Sequence, residues 1–577
     1  MLRVMKRSLI ASIDWFLYQF LSTTQKEKMA NILTEKQKEK LKKIINPGKK
    51  RAQIRKIERM KYRLYELGFS NRSIEDFKAL AAEEGILRKY AAWELAVWYV
   101  NQYSKRGAEQ SLYYLKIALE GEKDSSTIRR AKVLQAECYA RLGEVEQAIQ
   151  LLRGELQHSK HVDLYLGLVS LIESAEEKML LLNEMYRTFQ VSPISFANGD
   201  DQTLYDRLIG TTEREVSDQG AKVSVIIPAY NCAETIGTAI ESMFKQTWNN
   251  LEILVVDDCS KDHTKDVIMR YANQDQRVNY LSTPTNGGAY VARNIALQIA
   301  TGDYVTINDA DDWSHPEKIE IQVRHLEANR SVIANFSNQA RTTNQLTFYR
   351  RGKPGIYMFA NMSSFMFRRK NVIEKIGFWD SVRFAGDSEL VKRVKCTFGE
   401  RSVVSLDTAP LSFQRQTEDS LTGNSAFGFP GYFMGARKEY KDAHETYHKS
   451  GKSLYYPFPQ EERPFPVPEP MWPKREDKPD GRRHFDVIIA SEFRLLGGTN
   501  MSNVEEIKAQ RRLGLRTGLV QLSRYDLNSA TEMNPQVREL LGGDQVSMLV
   551  YGEKVSCDVL IVRHPPILEE WQKYVPD

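Results

Sequence analysis

Three features of the sequence predict a multidomain chain: an α-helical N-terminal region, a central α/β domain on a mostly parallel sheet, and a further α/β segment at the C-terminal end. Its 577 residues are too many for one hydrophobic core. The hydrophobic period changes from helical to strand-like near residue 222 and alternates thereafter. Eight prolines between 455 and 483 then interrupt the pattern before it restarts. The 42% hydrophobic and 27% charged content excludes a disordered or fibrous chain.

Residues 1–60 read as a basic helical arm, with sixteen Lys/Arg against five Asp/Glu. Since the whole chain carries +6, the remainder is slightly acidic. The first residues hold basic groups and then an apolar stretch, as a secretory leader would. Asp14 interrupts that stretch and no small-x-small cleavage site follows, so an uncleaved helix is expected. Such an arm suits docking on an anionic membrane surface, that is, peripheral contact at the inner membrane face by a cytoplasmic protein; a solvated charged helix is the alternative. No nucleic-acid-reading module accompanies the charge, so no nucleic-acid partner is expected. The longest apolar run, 164–172, falls far short of the roughly 18 residues that span a bilayer. Five widely spaced cysteines (Cys138, Cys232, Cys259, Cys396 and Cys557) without a CxxC read as buried or incidental thiols in a reducing compartment.

Residues 61–215 read as helices throughout. AEQSLYYL at 108–115 recurs as VEQAIQLL at 145–152, an offset of 37, and ARLGEVEQAIQLL has the texture of a tetratricopeptide-like helix pair. Two or three such units offer either a surface for a protein partner or self-association, or a helical spacer. Residues 220–445 form the central domain. KVSVII (222–227), LEILVV (251–256), 278–281 and 303–307 are short β-branched strands. Between them, Ile236, Ile240, Met243 and Phe244 share one helix face, and Val291, Ile295 and Ile299 another. That alternation implies a mostly parallel sheet covered on both faces. Residues 455–483 read as a stiff linker or a strap. Residues 484–577 give one strand (FDVIIA), glycine loop (LLGGTNMSN), helix (VEEIKAQRRLG) and strand (TGLVQL).

Ligands of parallel sheets bind beyond the carboxyl ends of the strands. Pro228, Ala229, Tyr230 and Asn231 follow the first strand; Asp257, Asp258, Cys259 and Ser260 the second; Asn308, Asp309, Ala310, Asp311 and Asp312 the strand DYVTI. One edge therefore collects an aromatic ring and two acidic clusters. Carboxylates so close repel unless something neutralises them. A divalent metal, Mn²⁺ or Mg²⁺, does so with one or two carboxylates, and a diphosphate can supply its remaining ligands.

VSVIIPAYN, ILVVDDCS, GAYVARNIAL, TGDYVTINDADD and AGDSEL, in this order between about 222 and 420, resemble the family 2 glycosyltransferases of the Rossmann-like GT-A fold. The resemblance implies that Tyr230 lies against the nucleobase of a nucleotide-sugar donor, in a site that includes Pro228 and Asn231. It implies that Asp258 accepts a hydrogen bond from the base and that Arg293 lies near the nucleotide. A packed aromatic and a surface ion pair are the structural alternatives for Tyr230 and Arg293. Asp309 and Asp311 match the DxD element, with Asp311 on the metal and Asp309 on the ribose or a metal-bound water. Asp387 matches the catalytic base. Many relatives carry an acidic residue just before it, where this chain has Gly386. Glu389 is the alternative base, or else opens the helix ELVKRV, where negative charge suits the positive helix end. The stretch 359–368 reads as a strand whose Ser363 and Ser364 face donor or acceptor. Arg415 and Gln416, with Thr417 and residues 419–422, resemble a late segment that nears the diphosphate or acceptor. His444 and His448, four apart, read as two surface histidines, with a metal contact as the alternative. The QxxRW motif of processive membrane synthases is absent.

The implied activity is inverting transfer of a sugar, by family frequency from UDP, to the hydroxyl of a glycan or lipid-linked glycan. Capsule, teichoic-acid-type or other surface polysaccharide synthesis would be its setting. One in-line displacement, with Asp387 taking the hydroxyl proton and the metal stabilising the departing diphosphate, inverts the anomeric centre; no second carboxylate motif calls for a covalent intermediate. The rival class is an inactive scaffold whose helical repeats bind partners. A nucleotidyltransferase would want a glycine- and lysine-rich phosphate loop after the first strand, and PAYNCAET is not one. The C-terminal glycine loop resembles the opening of a GT-B enzyme. A full GT-B protein needs roughly three times the residues present after 484, so this half-Rossmann segment is either truncated or a leftover half used for packing.

Overall fold

The computed structural model describes residues 54–199, 202–211, 220–350, 352–416, 426–428, 431–527, 532–542 and 545–577. Most of the basic arm, and Thr417 with 419–422, lie outside the described residues. Contacts divide the chain into two units, 1–98 with 113–120, and 99–112 with 121–577. In the first, helix Ser70–Ala82 buries Ile74, Phe77, Leu80 and Ala81, the three- and four-residue spacing of one helical face. Ala92, Ile117 and Ala118 form a small core there.

From residue 125 the second unit carries helices α1 (Ser125–Leu142), α2 (Val145–His158), α3 (Val162–Val169) and α4 (Ala175–Thr188), but the stretch 61–215 is not helical throughout: Ile194–Phe196 and Leu208–Gly210 pair as antiparallel strands. Asp124 caps α1 by accepting from the Thr127 amide, and Gly143, at φ +92°, ends it in the left-handed conformation that glycine adopts freely. The buried faces of these helices (Val133, Leu152, Leu166, Leu182, Tyr186) share one core with Trp313, Phe348, Tyr357 and Phe413 of the central domain. Asp163, 2% exposed, accepts from the amides of Tyr357 (2.8 Å) and Met358 (3.3 Å). Arg350 forks onto both oxygens of Glu137 at 2.6 Å each. The chain itself thus covers this face of the helices.

The central sheet contains β1 (Val223–Ala229), β2 (Leu251–Asp257), β3 (Val278–Ser282), β4 (Tyr304–Ile307), β5 (Trp313–Ser314), β6 (Ala334–Thr342), β7 (Met366–Arg368) and β8 (Val403–Arg415). Their order is β3-β2-β1-β4-β7-β6-β8-β5, with two short strands, Phe348–Tyr349 and Met358–Ala360, paired on β6. β1 to β4 are parallel, linked through helices α5 (Ile236–Phe244), α6 (Thr264–Gln274) and α7 (Ala289–Ile299). Past β4 the sheet is mixed: β7 runs antiparallel to β4 and β6, and β8 parallel to β6. Parallel neighbours need a long crossover; β7 instead follows Met358–Ala360 through a tight turn. The stretch 359–368 is therefore two strands, not one. Asn361 breaks it, its Oδ1 accepting from the Ser363 amide (3.0 Å) and its carbonyl from Ser364 Oγ (2.8 Å).

Alternate residues of β1 point to opposite cores. Val225 and Ile227 pack with α5, α6 and α8 (Lys318–Ala328). Ile226 packs with α7, α9 (Arg369–Ile376), α10 (Gly386–Phe398) and α11 (Ala436–Lys449). The proline-rich segment belongs to this second core: Tyr456, Phe465, Val467 and Met471 are buried in it. It is held by backbone bonds, Tyr456 N–H to Ile376 (3.0 Å) and Phe378 N–H to Tyr456 (2.9 Å). After it, β9 (Arg483–Ser491), β10 (Thr517–Gln521), β11 (Val546–Leu549) and β12 (Val555–Val562) form an all-parallel sheet in the order β11-β10-β9-β12. Helix α12 (Gly498–Arg512) follows the glycine loop, whose Asn500 side chain turns inward to the carbonyls of Glu492 (3.1 Å) and Leu495 (2.7 Å). Val550 joins the core of the central domain and Arg538 pairs with Glu439, so this segment packs on its neighbour.

Gly377, at φ +73°, lets the proline-rich strap seat: a Cβ there would lie 2.1 Å from the Tyr456 carbonyl. Gly377→Ala is expected to lower the thermal midpoint and open residues 455–473 to limited proteolysis. An unchanged midpoint with an unchanged cleavage pattern would contradict the docking described.

Candidate active site

The loop after β4 is fixed from below. Asn308, 1% exposed, donates from Nδ2 to the carbonyls of Asp309 (3.1 Å) and Asp312 (3.2 Å) and accepts from Ser314 Oγ (2.7 Å) and Lys318 Nζ (3.2 Å). These bonds hold Asp309, Asp311 and Asp312 in one short turn. The cost of that crowding appears in their proton affinities. Burial, and then Asp309, push the Asp311 carboxyl up to about 6. Burial, and then Asp311, push Asp312 well above the carboxylate range. Burial also brings the Lys318 ammonium down to about 8. The loop holds more negative charge than the protein around it neutralises, which is the environment a divalent cation fits. Among the described residues no group of three or more His, Cys, Asp or Glu side chains is arranged to hold a metal. Asp309 and Asp311 could hold one only if a ligand's oxygens completed its shell.

Arg293 of α7 crosses from this loop to α10. It is 3% exposed, and donates to Asp309 Oδ1 (3.0 Å) and to Asp387 Oδ1 (2.6 Å). Burial opposes its charge, but Asp387, Tyr290 and Asp309 hold it charged. The other oxygen of Asp309 accepts from Ser363 Oγ (2.5 Å), and that of Asp387 from Tyr290 Oη (2.8 Å). The DxD aspartate and the aspartate of α10 are thus two ends of one hydrogen-bonded unit. Arg293 is a buried bridge, not a surface ion pair.

Tyr290 explains why glycine precedes Asp387. A Cβ at Gly386 would lie 3.0 Å from the Tyr290 ring, so the ring stands where a side chain would go. Burial, and then Asp387, raise the Tyr290 phenol well above its usual range, so it donates rather than ionises. Tyr290 was not among the residues singled out from sequence; its position three before Arg293, on the same helical face, was the available signal.

Glu389 is not placed as a base. It is fully buried, and accepts from Arg393 Nε (2.6 Å) and pairs with His448 Nε2 (3.0 Å). Burial alone would raise its carboxyl, yet Arg393 and His448 hold it below the ordinary range. His444 and His448 are not surface histidines either. His444 is 1% exposed, its imidazole pushed down to about 3 by burial, and the His448 side chain is 4% exposed. Their helix α11 packs on α10, so an apolar face fell where the sequence showed only polar spacing.

Of the residues expected at the nucleotide, Tyr230 stands 48% exposed at the end of β1, beside the half-buried Pro228. Asn231, at φ +47°, knits two loops, its amide donating to Ser260 Oγ (2.9 Å) and its Oδ1 accepting from the Lys261 amide (2.8 Å). Asp258 departs from expectation. It is 4% exposed, and its oxygens are engaged by the amides of Gly287 (3.0 Å) and Gly288 (2.8 Å) and by Thr283 Oγ1 (2.8 Å). It pins the loop before α7 instead of facing a base. Ser364, fully buried, bonds Asn361 and the Ser337 amide and does not reach the site. Arg415 lies over the Tyr205 ring, paired with Asp206 and bonded to Asn344 (2.9 Å). Arg383, unremarked in the sequence, binds Asn286 and the carbonyls of Trp472 (3.0 Å) and Pro473 (2.8 Å), tying the strap to the loop that Asp258 holds.

Residues 224–391 match the family model "Glycosyl transferase family 2". The glycosyltransferase GlyG of Streptococcus pneumoniae serotype 4 is 35% identical over 134 residues, 23% of this chain and 44% of that protein. The UDP-Glc:alpha-D-GlcNAc-diphosphoundecaprenol beta-1,3-glucosyltransferase WfaP of Escherichia coli is 40% identical over 116 residues, 20% of this chain and 45% of that protein. Residues 1–349 of S. aureus TarS, solved with UDP, align at 21% identity over 34% of this chain and 61% of that one, with a TM-score of 0.29. The chain thus spans less than half the length of these curated relatives. Its central segment is a family 2 glycosyltransferase domain.

Removing Arg293 would leave two carboxylates facing each other with no shared cation. Allowing for the partial exposure of Asp309 (31%) and Asp387 (15%), Arg293→Met should cost about 2 kcal/mol. Adding Asp387→Asn should restore part of it, with about 1 kcal/mol of coupling in a denaturant double-mutant cycle; strict additivity would refute the bridge. For Glu389, the folded value lies below the ordinary 4.5, so the unfolded chain protonates first as the pH falls. Its contribution is present at neutral pH and is lost as the pH drops below about 4.5. Glu389→Gln should therefore lower stability at pH 7 and shrink the loss on acidification, as pH-resolved urea midpoints would read.

Proposed function

We propose that this chain is an inverting glycosyltransferase that moves a sugar from a nucleotide diphosphate, UDP in the first instance, to a hydroxyl of a glycan or lipid-linked glycan in surface polysaccharide synthesis. The observation that carries the proposal is the Arg293 bridge. It joins the acidic loop at the carboxyl edge of the sheet to Asp387, at hydrogen-bond distance from both. The family match supports the reaction class. The UDP-sugar donor and diphosphoundecaprenol-linked acceptor in the name of WfaP support the substrate class.

In this reading the exposed ring of Tyr230 takes the nucleobase by stacking. Asp309 and Asp311 would hold a divalent cation, Mn²⁺ or Mg²⁺, which when bound neutralises charge on the departing diphosphate. Asp387, oriented by Arg293 and Tyr290, accepts the proton of the acceptor hydroxyl as that oxygen attacks the anomeric carbon from the face opposite the leaving group, which inverts the centre. Ser363 fixes Asp309 through its hydroxyl. Arg415 acts through Asp206 and Asp312, and not on the substrate directly.

Among the described residues no helix is long and apolar enough to cross a membrane. The proposed membrane contact therefore falls to the basic arm, and a lipid-linked acceptor would bring its sugar to the site from the bilayer surface. The tetratricopeptide-like helices act in this reading as a buttress, since one of their faces is spent on the central domain.

Asp311→Ala and Asp387→Asn should each lower sugar transfer by at least about a hundredfold while leaving the fold intact. Nucleotide-sugar binding in a thermal-shift screen with and without Mn²⁺ should survive in Asp387→Asn and be lost in Asp311→Ala. Full transfer by both variants would reject the assignment. A wild-type chain that binds no nucleotide sugar with or without Mn²⁺ would favour the inactive scaffold.

A further inference from the structure

The acidic loop is also held from outside the family domain. A two-stranded hairpin, Ile194–Phe196 with Leu208–Gly210, precedes β1, and its connection carries Tyr205 and Asp206. Tyr205 is fully buried. Its hydroxyl accepts from the Trp313 amide (2.8 Å) and donates to the Phe413 carbonyl (2.5 Å), with the Asp311 carbonyl at 3.2 Å. Trp313 Nε1 donates to the Leu208 carbonyl (2.9 Å). Asp206 pairs with Arg415 and accepts from Thr238 Oγ1 (2.6 Å). Arg415 lies over the Tyr205 ring, 4.1 Å from its centroid, and its amide donates to Asp312 Oδ1 (3.2 Å). Three chain segments, 203–208, 311–313 and 413–415, therefore meet at one phenol.

No side-chain hydrogen bond to the Asp311 carboxylate is formed among the described residues, so the aim of that carboxylate depends on the backbone at 311–313. Asn308 holds this backbone from below at the Asp312 carbonyl, and Tyr205 clamps it on either side, at the Asp311 carbonyl and the Trp313 amide. We infer that residues 203–208, which lie ahead of the family-matched segment, are part of the transferase site, with Tyr205 as a positioning residue for the metal-side carboxylate of Asp311. The inference rests on the proposed reading of Asp311. Outer groups that orient a metal ligand commonly change metal affinity by about 10- to 100-fold when removed.

The test uses the full chain with Mn²⁺ as the probe in the presence of UDP. Tyr205→Phe keeps the ring and its contact with Arg415 but removes the hydroxyl. It should raise half-saturating Mn²⁺, read by the electron-spin signal of free Mn²⁺, about tenfold. Hydrogen exchange at the Trp313 amide should quicken while amides of β1 and β2 stay as protected as in the wild type. Asp206→Asn, which weakens the same support through Arg415, should shift Mn²⁺ half-saturation the same way by a smaller factor; it carries the test if the tyrosine variant does not fold. Unchanged Mn²⁺ half-saturation in the folded variants, whatever their thermal midpoints, would reduce Tyr205 to a packing residue and overturn the inference. A wild-type chain that binds no Mn²⁺ alongside UDP would instead remove the reading of Asp311, and the inference with it. The two failures differ in which protein is silent.

Discussion

A single buried guanidinium shared by two carboxylates is the interaction on which the centre of this protein depends. Arg293 lies on the helix between β3 and β4, Asp309 on the loop after β4, and Asp387 at the start of α10. Alone, each carboxylate would repel the other across a partly dehydrated edge. With the arginine between them they become one rigid body with a planar core, which a lysine, as a point charge, could not span in the same way. The surrounding residues serve that body: Tyr290 and Ser363 each take up one remaining oxygen, and the ring of Tyr290 fills the space that Gly386 leaves.

Around this bridge the structure stores unbalanced negative charge. Asn308 bends the loop so that three aspartates share one turn, and burial keeps water from screening Asp311 and Asp312. The elevated proton affinity of Asp311 is the cost of that arrangement. A cation would remove it, so the same geometry that destabilises the free loop favours its occupied form. The hairpin ahead of β1 takes part in maintaining it through the Tyr205 hydroxyl, while the strap braces the loop carrying Asn286 through Arg383, although neither element belongs to the family-matched segment.

The α/β alternation of the central domain was legible because β1, β2 and β4 are buried on both faces and carry apolar runs, and because the helices beside them show one clean face each. The strand ends that carry Tyr230, Asp309 and Asp311, and the helix start that carries Asp387, followed from motif order. What the sequence concealed was partnership. Asp258 reads as an exposed acid at a strand end, but two glycine amides turn inward to claim it. Ser363 and Ser364 are neighbours in the chain, yet the Asn361 turn points one to the site and the other to the core. Glu389 and His448 look like surface charge on polar helices until α10 and α11 are packed together, which no local pattern announces. Tyr205 carries no motif at all; its role exists only once segments some hundred and two hundred residues away close around it. The eight prolines were read for what they forbid, and the rigid backbone they impose is what lets the strap pack with little more than one 3-10 turn, Glu469–Met471.

That strap also sets an order of events during synthesis. Arg383 reaches its partners in two directions, to Asn286 behind it and to the carbonyls of residues 472 and 473 ahead. The wall beside the Gly287–Gly288 loop is therefore unfinished when the last residue of the family segment leaves the ribosome, and some eighty further residues must emerge before it closes. A nascent chain halted between 416 and 472 would hold the central sheet and every acidic group of the site, yet lack the clamp on the loop that Asp258 organises. Closure of that wall is thus tied to translation of the proline-rich stretch.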